Sequence, residues 1–190
     1  MVNQFYPTDI VPNSHLDTTG LPIETSLENV KPADTNTLAV DLAGLGYPGF
    51  AYLRSRRKKN PGEVLLSALS SKCLESRVVE ALPWVLLQYP DLDRDLLVSA
   101  AKVRDLQNKL GLLTCLAREL AERRGEASKA AVLREHERTL ERSRLLFEDT
   151  FCNDVLTQAE RGWLETNRPD EAKHWRVLTD LSPEHLRHAF

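Results

Sequence analysis

Residues 93–125 read DRDLLVSAAKVRDLQNKLGLLTCLARELAERRG, and this stretch decides the fold class. Leu96, Ala100, Val103, Leu106, Leu110, Leu113, Ala117 and Leu120 step along it in threes and fours. That is the period at which side chains fall on one face of an α-helix. Asp91 or Asp93 can cap its start, and Gly125 ends it. Gly111 costs a helix interior about 1 kcal/mol relative to Ala. It marks either a bend or a close helix crossing, and a break is expected between Leu106 and Gly111.

Similar signals extend on both sides. Asn60 can cap a helix that begins with Pro61, has Glu63 in its first turn and shows Val64, Leu65, Ala68 and Leu69 on its apolar face. A second helix fits Glu75 to Gln88, with Val78, Val79, Leu82, Val85 and Leu86 at helical spacing. Pro83 lies inside it and must kink it or divide it. Trp84 reads as a core anchor, and Tyr89-Pro90-Asp91 as a turn. Downstream, a helix from about Glu126 to Glu148 carries Ala130, Leu133, Leu140 and Phe147 on one narrow face. The seven-residue steps from Leu133 to Phe147 are those of a two-helix seam. Thr157-Gln158-Ala159-Glu160 forms a capping box. Pro169-Asp170-Glu171 and Ser182-Pro183-Glu184 begin further short helices. Trp163, Leu164, Trp175 and Leu178 are expected to fasten this tail to the body. The fold class is therefore all-α: a multi-helix bundle over residues 60–190 with an extended, irregular N-terminal arm.

Composition agrees. Of 190 residues, 42% are hydrophobic, with Leu dominant, and only 6% are aromatic; a β-sandwich would need more Val, Ile and aromatic side chains. No run approaches the roughly 20 apolar residues of a membrane span, and no charged segment followed by an apolar one opens the chain. Cys73, Cys115 and Cys152 are too widely spaced for a CxxC metal pair and too few for a disulfide framework. Cys115 sits in an apolar run and reads as a small core side chain. This usage suits a reducing cytosol, so a cytoplasmic protein without membrane association is expected.

Residues 1–35 read as an arm, flexible or ordered by a partner. Pro7, Pro12, Pro22 and Pro32 resist helix, and Asp9, Asp17, Glu24, Glu28 and Asp34 oppose only Lys31. Yet Phe5, Tyr6, Ile10, Val11, Leu16, Leu21, Ile23 and Leu27 are scattered through it. The arm packs along its own body or orders on a partner protein. For the second case Phe5, Tyr6, Ile10, Leu16, Leu21 and Ile23 are the candidate contacts. Residues 36–59 read as a turn-rich basic connector, with a short helix over Thr37–Gly44 closed by Gly44. Its end holds Arg54, Arg56, Arg57, Lys58 and Lys59, five positive charges in six residues. Subtracting them from a net charge of −3 leaves −8 on the rest. These five are candidates for phosphate contact, because Lys and Arg bind nucleic acid by releasing its counterions. The other reading is a solvated loop ahead of Asn60.

Motifs of catalysis do not occur: no GxxxxGK[ST] or GxGxxG phosphate loop, no HExxH, no EF-hand loop, no GxSxG elbow. His185 and His188 could share a metal only with a third ligand, and none is near in sequence. Glu135, Glu137, Glu141 and Glu148 alternate with Arg134, Arg138, Arg142 and Arg144, which surface ion pairs explain. His174 with Asp170 is the pair that an enzyme built from scattered residues would use. Gln107, Asn108 and Lys109 could reach base edges or phosphates, but the small residue and glycine of a helix-turn-helix are missing around them. No enzyme, metal site or cofactor is expected.

The stretches Arg77–Leu87 and Gln107–Gly111, with the later Asn167–Trp175, resemble a group of bacterial helical regulators. These are antitoxin or transcription-regulator components of the type found beside nucleotidyltransferase-type toxins. The similarity covers about residues 60–188. It implies a non-enzymatic interaction protein that binds and neutralises or regulates a partner protein, such as a toxin. The alternative is a DNA-binding transcriptional regulator, working as a homodimer and using residues 54–59. The lack of a clear DNA-reading module favours partner binding.

Overall fold

Short side chains fix where four of the helices begin. Asp34 accepts the Thr37 N–H, Asn60 the Gly62 N–H, Asp93 the Leu96 N–H and Thr157 the Glu160 N–H. Each satisfies a backbone donor that a helix start leaves unpaired. The computed structural model describes residues 27, 29–55 and 58–186, and it is all-α. In chain order come α1 (Thr35–Leu45), α2 (Pro61–Leu69), α3 (Ser76–Val79), α4 (Leu82–Gln88), α5 (Arg94–Lys102), α6 (Gln107–Arg123), α7 (Ala127–Glu141), α8 (Gln158–Asn167) and α9 (Asp170–His174). Between α7 and α8 lies β1 (Asp149–Thr150), which pairs in parallel with β2 (Val177–Leu178) after α9. Helical 3₁₀ turns occupy Pro48–Phe50 and Pro183–His185. Pro83 divides the 75–88 segment, as its missing N–H requires, and stands in the first turn of α4.

Helix α6 lies at the centre. Every residue from Gln107 to Ala117 is buried. Its most extensive neighbour is α7, and α4, α5, α9, β2 and the last 3₁₀ turn close the other sides. The long stripe of residues 96–120 does break, but earlier than expected, between Lys102 and Gln107. The cause is Asp105, at φ 56°. There the Leu106 N–H reaches back to the Ala101 carbonyl at 2.9 Å, closing α5 as a glycine would. Asp tolerates the left-handed region better than most residues, so the turn needs no glycine here. Val103 consequently leaves the stripe and is 84% exposed.

Gly46, at φ 94°, ends α1 in the same way, two residues beyond the expected Gly44. Leu38, Leu42, Leu45, Tyr47 and Phe50 join the same hydrophobic core as α2 to α6. The boundaries placed at residues 35 and 59 therefore do not divide the packing. Leu27 is in that core too, and its carbonyl accepts from Arg104. Ser67 donates to the Lys31 carbonyl, and the Ala33 N–H donates to Ser71 Oγ. The end of the arm is strapped by these bonds onto α2, the residue stretch just after it and the α5–α6 connection.

Helix α7 ends at Glu141 rather than near Glu148, so the seven-residue seam stops at Leu140 and Phe147 is exposed. Among the tail anchors, Leu164, Trp175 and Leu178 are buried, whereas Trp163 is not. Trp175 is fully enclosed, and its six-membered ring rests on Gly111 of α6. A Cβ at position 111 would fall inside the van der Waals surface of that ring.

Gly111→Ala is thus expected to destabilise the protein by about 1–3 kcal/mol, although alanine is the better helix former. Urea denaturation measures it. Combining the change with Trp175→Leu should cost less than the two losses added together, since removing the ring makes room for the methyl group.

Candidate functional site

Helix α3 and helix α8 face one another across a cleft of about 420 Å³. Ser76, Val79 and Glu80 stand three and four residues apart at α3, and Glu160, Trp163 and Leu164 do so on α8. Each set forms one helix face. The floor is the short parallel pair and its extensions, through Phe151, Asn153 and Leu178 to Leu181. It is fixed to the α2–α3 connection: the Leu74 N–H donates to the Cys152 carbonyl at 2.9 Å and the Asp154 N–H to the Lys72 carbonyl at 2.7 Å. Helix α8 is locked at its start by the capping box, in which Thr157 and Glu160 bond reciprocally. These bonds hold the Glu160 carboxyl below the usual carboxylate range.

The lining is unusual in charge. It contains the carboxylates of Glu80, Glu160 and Asp180 and the imidazole of His185, with no lysine or arginine among the described residues. Arg77, one turn from Glu80, points elsewhere: its guanidinium lies 5.6 Å from the Phe50 ring centre and 5.7 Å from that of Tyr52. Trp163 remains 55% exposed at the edge, and the buried Asn153 Oδ1 has no hydrogen-bond donor.

Residues singled out in the sequence are distributed differently. Phe5, Tyr6, Ile10, Leu16, Leu21 and Ile23 lie outside the described residues, as do Arg56, Arg57, His15 and His188. Arg54 is exposed. The Lys58 ammonium sits 5.3 Å from the Tyr89 ring centre. Lys59 is bound to Asp41 at 2.7 Å, and that carboxylate side chain is 11% exposed. Part of the basic run thus serves the fold, by compensating an acid on α1. Gln107, Asn108 and Lys109 are buried in α6 rather than offered to bases. Asn108 exchanges two hydrogen bonds with the Leu145 backbone, and Lys109 pairs with Asp149 at 2.8 Å. His174 contacts Glu141 at 2.8 Å, while Asp170 pairs with Lys173, so the two do not form the catalytic pair considered above.

Of the cleft residues, the sequence singled out Trp163, Leu164 and Leu178 as tail anchors and His185 as a possible metal ligand, and the others at most as cap or helix positions. They come from four segments separated along the chain. The one available signal was the spacing of Glu160, Trp163 and Leu164 on a helix with little other apolar surface. Among the described residues, no group of three His, Cys, Asp or Glu side chains could hold a metal, and no helix is long and apolar enough to cross a membrane. Comparison with family models, with characterised proteins and with solved structures gives no match.

One buried titratable group stands apart from the cleft. His136 on α7 is enclosed, and its Nε2 has no partner. Burial first, and the charge of Arg94 second, pull its pKa from 6.5 down to about 4. The unfolded chain therefore takes up a proton between those values and the folded one does not. Stability is present above pH 6.5 and drains away as the pH falls toward 4. Between pH 7 and pH 5 the loss should be about 2 kcal/mol. His136→Leu should remove most of that slope in urea melts recorded across this interval, above the range where carboxylates titrate.

Proposed function

We propose that this chain is a non-enzymatic interaction protein, antitoxin-like in that it binds and neutralises or regulates a partner protein. The observation that carries the interaction reading is Trp163: a large aromatic side chain left exposed beside an apolar-floored cleft, on a helix locked at its start. Such aromatic anchors dominate protein recognition, whereas folding alone would bury them. The toxin as partner class rests on the sequence resemblance. The arm residues from Phe5 to Ile23 are a second contact region in this proposal, since apolar side chains in a proline-rich acidic segment gain most by ordering on a partner.

A second reading draws on a different set of exposed residues. Tyr52 is 67% exposed, Arg77 stacks on it, and Arg54 and Lys58 are exposed nearby in the chain. Cations next to an accessible ring suit a nucleic-acid backbone and base. Arg54→Gln with Lys58→Gln should then weaken DNA binding at low salt and flatten its salt dependence, with Lys59 left intact because it holds Asp41.

For the leading reading, capture from native-host extract with the tagged full-length chain should return one partner in stoichiometric amount. Trp163→Ala should weaken that capture by about 30-fold, the size of an anchor residue's contribution. Capture that survives Trp163→Ala but fails on deletion of residues 1–35 would move the contact from the cleft to the arm. Capture of nothing by either form would remove the interaction reading.

A further inference from the structure

We infer that the cleft between α3 and α8 binds an extended peptide segment that carries a basic side chain beside an aliphatic one. The inference rests on the interaction reading above and specifies what that surface recognises. Charge complementarity is the argument. Glu80 lies on one wall, Glu160 on the other with its carboxylate bonded to Thr157, and Asp180 on the floor's extension, with no lysine or arginine lining the cleft among the described residues. Elsewhere on the molecule, carboxylates are commonly paired: Glu137 with Arg118, Glu122 with Arg134, Glu148 with Arg168, Glu184 with Arg123. A lysine or arginine of a ligand would supply what the cleft walls lack.

The rest of the lining sets the ligand's other half. Phe151, Leu164, Leu178 and the face of Trp163 present apolar surface, which rewards an aliphatic neighbour and gives the cation a ring to lie against. The volume of about 420 Å³ falls within the range of about 300–1,000 Å³ typical of ligand pockets. A small organic cation would satisfy the charge alone. The apolar floor favours a peptide, which sets an aliphatic side chain beside the cation.

The test uses Trp163 as its own reporter. Trp84 and Trp175 are buried, so acrylamide quenching of the full-length chain reads Trp163. The probes are three blocked hexapeptides in which leucine alternates with lysine, glutamine or glutamate. The lysine peptide should protect Trp163 from quenching, the glutamine peptide should do so less well, and the glutamate peptide should not. Glu80→Gln with Asp180→Asn should weaken the lysine peptide by about tenfold and reduce its salt dependence. Glu160 is left alone, because its carboxylate holds the start of α8. Equal protection by all three peptides, protection by none, or unchanged affinity in the double variant would overturn the inference. If partner capture still depends on Trp163 in any of those cases, the interaction reading survives and only the basic-peptide specificity is lost.

Discussion

The structure depends on the enclosure of α6. A helix surrounded on all sides gains from every apolar residue it carries, about 1.5–3 kcal/mol for each fully buried leucine. Leu110, Leu112, Leu113, Leu116 and Leu120 are all fully buried. The same enclosure sets a strict demand on its polar residues, since a buried donor or acceptor left unpaired costs about 1–3 kcal/mol. Thr114 meets it within the helix, donating to the Leu110 carbonyl. Asn108 and Lys109 can meet it only through a segment brought in from elsewhere.

That segment is residues 145–149. Asn108 bonds both the N–H and the carbonyl of Leu145, and Lys109 pairs with Asp149. The chain therefore has to leave the helical path soon after Glu141, which shortens α7 and frees Phe147 from the seam its spacing suggested. Once Asp149 is held, β1 is in place to pair with β2. That pairing lies just after Trp175, whose indole fills the space that Gly111 leaves open on α6. The pair and its extensions then form the floor of the cleft. A polar requirement inside the central helix thus leads, by a short series of contacts, to the surface proposed for recognition.

Charge on the outside follows a different logic from the one suggested by counting. The run ending at Lys59 stands out in sequence, but Lys59 compensates Asp41 and Lys58 lies on a tyrosine ring. The carboxylates of the cleft are inconspicuous in sequence, and only their assembly around an apolar floor gives them a shared character. Burial also quiets two of the three thiols: it pushes Cys152 up to about 12 and raises Cys115 well above the ordinary range, while Cys73 is exposed.

The all-α class, the caps at Asn60, Asp93 and Thr157, the division at Pro83 and the core role of Trp84 were legible in the sequence, because each follows from local backbone chemistry or a helical period within one turn or two. Gly111 was legible as an anomaly, but its reason was not, since the ring that fills its place comes from residue 175. The early break at Asp105 is local as well, a left-handed turn made by an aspartate in the place where glycine is the usual signal, whereas the short α7, the parallel strand pair and the exposure of Trp163 were decided only by the tertiary structure. The latter depend on contacts between residues far apart in the chain, which no local period records. The cleft belongs to the same group: four segments supply its walls and floor, and their meeting is set by how the tail closes over α6.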